Sequence, residues 1–219
     1  MHRTSDPRRS NVHVAGRMGV LSLLAAFVLS SVFAMAAQAG LTAQQKRRLC
    51  FPAGSTTTRV SHDARAYTID ARSGDTRLRA CLFSTGRSRT LATYDEVLSF
   101  ASARALAGRY VAWDHSTTPG CRGQCPPGFV PRQSLNVTNL RTGRTRSVET
   151  SAAKVGVTTG GALVWLRSDG AAGATIRVLD ARGQRTIDSG DVDKRFLKVF
   201  STFVLWRKGG QNHWVDLAG

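Results

Sequence analysis

Long apolar runs are scarce in this 219-residue chain. One runs from Val20 to Ala37 near the N-terminus, and no second one follows. A membrane-crossing helix needs about 20 consecutive apolar residues. Residues 40–219 are therefore expected to be soluble, with no membrane contact once the N-terminal segment is removed. The stripe of an amphipathic helix is missing as well. No stretch repeats apolar residues at i, i+3, i+4 and i+7 over a helical length, which argues against an α-helical fold. Catalytic signatures are also lacking. There is no Gly-x-Ser-x-Gly, no His-Glu-x-x-His, no phosphate-binding glycine loop and no dinucleotide fingerprint. Carboxylates are few, 14 against 31 basic residues, and none has the spacing of paired general acids. The expectation is a protein without catalytic residues or cofactors.

What the chain does have is a repeated sentence. One copy reads Leu163-Val164-Trp165-Leu166, a gap, then Thr175 to Asp180 and the turn Ala181-Arg182-Gly183. An earlier copy reads Tyr110-Val111-Ala112-Trp113, a longer gap, then Ser134 to Asn139 and Leu140 to Arg144. A later, shortened copy reads Phe203-Val204-Leu205-Trp206, then His213 to Leu217. The three tryptophans lie 52 and 41 residues apart, and Gly86, Gly143 and Gly183 lie 57 and 40 apart. Self-similarity at such periods marks a repeat architecture. The third copy predicts four meandering strands, with a Gly183 turn that needs positive φ. Its Trp strand is nearly all apolar, so burial on both faces is expected.

The fold class expected is all-β, with about four antiparallel blade-like repeats over residues 50–93, 94–150, 151–193 and 194–219. The first is degenerate and the last lacks a fourth strand. A β-sandwich is the alternative. Residues 40–49 are expected to form a flexible or briefly helical lead-in. The Val-x-Trp or Leu-x-Trp strands, followed by a Val-x-Asx-Leu or Val-Leu-Asp strand and a Gly-Arg type turn, resemble secreted β-propeller-like repeat proteins with a degenerate WD-repeat/Kelch-like blade pattern. That resemblance implies a small or incomplete propeller-like domain over roughly residues 50–219, with a binding or scaffolding role.

The N-terminus carries Arg3, Arg8, Arg9 and Arg17 before its apolar run, and Ala37-Gln38-Ala39 follows. Charged, apolar and small segments in that order read as a secretory signal over residues 1–39. The expected localisation is secreted, at the cell envelope. The signal holds +3 of the formal +17, which leaves +14 on residues 40–219. A basic surface attracts acidic polymers. Arg87, Arg144 and Arg185 occupy equivalent turns in three units, and on one rim they would form a polyanion-binding patch. Specific nucleic-acid binding is not expected. The other partner class is an unidentified protein or glycan of the envelope.

All four cysteines follow the signal, and an even count in an exported chain favours disulfides. The pairing expected is Cys50–Cys81 and Cys121–Cys125. A metal site of His115, Cys121 and Cys125 lacks a fourth ligand, and the carboxylates Asp188, Asp191 and Asp193 lack the spacing of a calcium loop. No metal site is therefore expected. The tryptophans are read as inter-sheet packing; Trp214, in the shortened last unit, is the better candidate for exposure, though packing is expected for it too. Asn136-Val137-Thr138 fits a glycosylation sequon inside an expected strand. A hydrolase using His62 or His115 is the remaining reading, and it requires one of them to share a pocket with a nucleophile and an acid. Mass spectrometry of the exported protein should find Gly40 at its N-terminus, and an intact Met1 would count against the signal. Non-reducing peptide maps should link Cys50 to Cys81 and Cys121 to Cys125.

Overall fold

The structure is a computed structural model that describes residues 41–71, 73–95, 97–118 and 130–218. The signal expected over residues 1–39 and the Cys121–Cys125 pair fall outside the described residues. Helix α1 (Ala43–Leu49) leads into four antiparallel sheets. The first holds β1 (Thr56–Val60), β2 (Ala64–Asp70), β3 (Thr76–Leu82) and β4 (Arg87–Tyr94). The second holds β5 (Ser99–Ala107), β6 (Tyr110–Thr117), β7 (Arg132–Asn139) and β8 (Thr145–Glu149). The third holds β9 (Lys154–Val157), β10 (Leu163–Ser168), β11 (Ala174–Asp180) and β12 (Gly183–Gly190). The fourth has only β13 (Val192–Val199), β14 (Phe203–Lys208) and β15 (Gln211–Asp216). Within every sheet the strands lie in chain order, so each is a simple meander. These are separate sheets, and the two facing layers of a sandwich do not occur among them.

The apolar pattern explains the stacking. In β10, Val164 and Leu166 pack toward the fourth sheet while Leu163 and Trp165 pack toward the second. A strand apolar on both faces needs a neighbour on each side. Three cores result, one between each successive pair of sheets. Trp113, Trp165 and Trp206 each sit on the second strand of their sheet and fill the space against the preceding sheet. Trp113 Nε1 donates to Thr138 Oγ1 at 3.0 Å and Trp206 Nε1 to Asp188 Oδ2 at 2.8 Å. Trp165 Nε1 finds no acceptor among the described residues. Leu179 stands where Thr138 stands in the second sheet, two residues past the partner of the Trp. The turn glycine behaves as its spacing requires: Gly183 has φ 96°.

The first strands come together. β1 packs on β5, β5 on β9 and β9 on β13, and all four line one cleft of about 630 Å³. That gathering along a common axis makes the array propeller-like. It is open: among the described residues the fourth sheet does not pack on the first to complete a ring.

Two elements eluded the repeat pattern. β1 reads Thr56-Thr57-Thr58-Arg59-Val60, mostly exposed and without apolar alternation. The other is the cover on the outer face of the first sheet. Cys50 is bonded to Cys81, and Phe51 stacks on Phe83 at 6.0 Å. Arg65, only 3% exposed, lies between the Phe51 and Tyr67 rings. It donates to Cys50 O and Thr57 Oγ1, each at 2.7 Å, and to Ser55 Oγ at 3.0 Å. Burial pulls its pKa down, and the Tyr67 phenol opposes that pull. Four hydrogen bonds satisfy the guanidinium without a carboxylate.

Other cations pin one sheet to the next through backbone carbonyls. Arg89 of β4 donates to Leu140 O at 2.7 Å and Arg141 O at 3.0 Å in the second sheet's last turn. Arg146 of β8 donates to Gly161 O at 2.5 Å in the third sheet. Lys194 of β13 donates to Gly170 O at 2.8 Å, and Lys154 of β9 donates to Arg195 O. Turn carbonyls have no ladder partner, and a cationic donor supplies one.

The joint between β9 and β13 is tight. A Cβ on Gly156 would strike Val199, 2.7 Å from its Cβ. Val199 is β-branched and cannot swing clear. Gly156→Ala should therefore destabilise the protein by roughly 1–3 kcal/mol, read as a lower denaturant midpoint. Gly160→Ala, whose Cβ meets nothing nearer than 3.7 Å, should be neutral or slightly stabilising.

Candidate functional site

In a four-strand meander the first and third turns fall at the same end. At that end of the second, third and fourth sheets the turns surround a cleft of about 1180 Å³. The β7–β8 turn contributes Thr142 and Arg144, and β8 itself contributes Arg146. The β11–β12 turn contributes Asp180 and Arg182, with Arg185 following on β12. The β9–β10 turn supplies Thr158 to Gly160, and the chain end supplies Asp216 to Ala218. The lining so described carries four guanidinium groups, two carboxylates and no histidine or cysteine.

These charges are not equally available. Arg185 Nη1 pairs with Asp180 Oδ2 at 2.5 Å, and Arg182 N donates to Asp180 Oδ1 at 2.9 Å. Burial pushes the Asp180 carboxyl up, but the Arg185 and Arg182 hydrogen bonds and charges outweigh it and hold it below the ordinary carboxylate value. Arg146 is committed to Gly161 O. The Arg144 and Arg182 side chains are exposed and make no hydrogen bond among the described residues. Two free guanidinium groups beside threonine hydroxyls form an anion-accepting surface.

Of the three arginines read from the turns, Arg144 and Arg185 share this cleft and Arg87 does not line it. The equivalent turn of the first sheet lies against α1. A Cβ at Gly86 would meet Lys46 O at 3.0 Å and Leu49 Cδ1 at 3.1 Å. Arg146 and Arg182 were missed. Arg182 precedes the turn glycine Gly183, but nothing local marks Arg146, because its place depends on the neighbouring sheet.

The other expectations are placed as follows. His62 is almost fully exposed, 3.1 Å from Asp63, and His115 is half-buried on β6. Neither His62 nor His115 lines either of these two clefts. Asp188 Oδ1 accepts from Lys208 Nζ at 2.6 Å and Oδ2 from Trp206, which ties β12 to β14. Burial pushes that carboxyl up, and the hydrogen bonds from Lys208, Trp206 and Ser189 N bring it below its ordinary value. Asp193 Oδ1 accepts from Arg195 N at 2.8 Å. Asn136 is 5% exposed and its Oδ1 accepts from Ser147 Oγ at 2.6 Å, so the folded sequon cannot carry a glycan. Trp214 is exposed, whereas packing was the expectation for it as for the other tryptophans.

No protein-family profile and no curated protein matches the chain. Solved structures similar to it include the following three. One comes from a structural and mechanistic study of two prolyl endopeptidases, at 13% identity and TM-score 0.44, covering 92% of this chain and 35% of that one. Another is an uncharacterised protein from Listeria monocytogenes, at 6% and 0.45, covering 74% and 50%. The third is TolB from Acinetobacter baumannii, at 11% and 0.36, covering 71% and 38%. The chain thus spans half or less of the length of each. At these values the likeness assigns no activity, and the repeated meanders themselves carry the fold.

The two depressed carboxyls make stability pH-dependent. Their folded pKa values lie below the unfolded value of about 3.9. The stabilisation is therefore present above about pH 4 and is lost as pH falls toward the folded values. Thermal melts of Asp180→Asn and of Asp188→Asn should lose less between neutral pH and about pH 3 than the parent protein does. An unchanged loss would remove these pairs from the acid response.

Proposed function

We propose that this chain is an exported, non-catalytic binding domain of the cell envelope, and that its rim cleft holds a segment of an acidic polymer. The observation that carries the reading is the convergence of Arg144, Arg146, Arg182 and Arg185 on one cleft from two different sheets. Arg144 and Arg182 face the ligand. Arg185, held by Asp180, and Arg146, held by Gly161 O, add field and shape. The threonines of the lining donate hydroxyl hydrogen bonds to carboxylate, sulfate or phosphate oxygens. The Cys50–Cys81 bond supports an oxidising, extracytoplasmic compartment. The formal charge of +14 on residues 40–219 steers a polyanion toward the surface before any contact forms.

Heparin serves as the probe polymer. Binding should weaken steeply between roughly 0.05 and 0.5 M salt, since exposed charges are screened over that range. The Arg144→Gln/Arg182→Gln double variant should bind roughly tenfold more weakly, equivalent to about 1.4 kcal/mol. Arg87→Gln, outside the cleft, should bind like the parent. Salt-independent retention, or equal loss in the Arg87 variant, would overturn the reading.

A further inference from the structure

Among the described residues the last sheet holds three strands, where each of the others holds four. In the first three sheets the third strands β3, β7 and β11 are each covered by a fourth, β4, β8 and β12. β15 holds the third place in the fourth sheet and pairs with β14 alone. Its other side presents backbone N–H and C=O groups with no ladder partner among the described residues.

Proteins blunt such edges with bulges, cations, prolines or short length. The outermost strands of the other sheets do this. β4 and β12 each break register against their inner neighbour, and β8 is five residues long with Arg146 and Glu149 in it. β15, six residues long, lacks the register break, the cations and the proline. Its register with β14 is unbroken from Gln211 to Asp216, and it contains no lysine, arginine or proline. Its inward side is anchored: His213 stacks on Trp206 at 5.9 Å and Val215 packs on the core. Its outward side carries Trp214, 69% exposed. The first sheet, at the opposite end of the array, has its outer face covered by Phe51, Arg65 and the Cys50–Cys81 bond. The fourth sheet has no such cover among the described residues.

The slot defines its occupant. In the other sheets the same place takes one extended strand, antiparallel to the third. The sign follows from charge. Residues 40–219, with a formal charge of +14, repel a second copy of themselves and attract an acidic partner. We propose that β15 is a strand-addition edge that accepts an extended acidic segment of a partner protein. The segment pairs with β15 as β12 pairs with β11 and lays an apolar side chain on Trp214. This surface is separate from the rim cleft and does not depend on it.

The probe is a fluorescently labelled peptide of about eight residues alternating Glu with Val, the length of one edge strand. Anisotropy should show saturable binding, and amide exchange should slow along β15. Trp214→Ala should weaken binding roughly tenfold, a larger loss than in Arg144→Gln/Arg182→Gln. A peptide with Pro in place of the central Val, and one with Lys in place of Glu, should not bind. Equal binding of the Pro peptide would reduce the effect to charge alone and overturn the proposal. So would loss of binding in the rim variant rather than in Trp214→Ala, or no binding below about 1 mM peptide. A concentration-dependent dimer abolished by Trp214→Arg would give the edge to a second copy and overturn it too.

Discussion

Strands that are apolar on both faces cannot be stable in an isolated sheet, and the rest of this structure depends on that constraint. β10 is the plainest case, with all of Leu163, Val164, Trp165 and Leu166 buried. A sheet built around it needs one neighbour for Trp165 and another for Val164 and Leu166. Repeating the requirement from sheet to sheet produces a stack in which each tryptophan plugs the joint behind it. It also creates two ends with a problem the middle does not have. At the first end a buried arginine, a disulfide and two aromatic rings shield Tyr67 and Cys81. At the last end β15 and Trp214 stay open to water.

The positive charge has two employments in the molecule. Part of it is structural. Arg65, Arg89, Arg146, Lys154 and Lys194 each donate to backbone carbonyls at a sheet edge or turn. A guanidinium reaching across a joint satisfies an oxygen that the strand ladder has left out, and it does so without a carboxylate. This accounts for how so many arginines coexist with so few acids. Part of the rest is paired with carboxylates, as Arg185 is with Asp180 and Lys208 with Asp188, and part is displayed, as Arg144 and Arg182 are at the rim of the second and third sheets. A net-charge argument read from composition cannot separate the two employments, because both use the same residue type.

Much of the fold was legible in the chain because strand meanders are local. The third repeat was readable strand by strand, from Lys154 through the Gly183 turn to Gly190, since each hairpin is punctuated by glycine or aspartate and each strand by β-branched residues. The missing fourth strand of the last unit was visible too. β1 was not, because three threonines and an arginine pair with β2 through backbone alone. The candidate site was half legible. Arg144 and Arg185 share an offset from their turn glycines, but Arg87 carries the same offset and lies apart, since α1 occupies the space beside its turn.

By itself, then, the sequence determined most of the secondary structure, the number of sheets and the tryptophan joints, and it favoured the Cys50–Cys81 pair. Each of these rests on period-two pattern, turn chemistry or residue type within about 50 residues. Only the tertiary structure decided which arginines meet, which carboxylates are spent on a neighbouring sheet, and which edge stays bare. Those outcomes depend on the rotation and separation between successive sheets. These are set by side-chain packing in three cores at once, and no local stretch of chain encodes them.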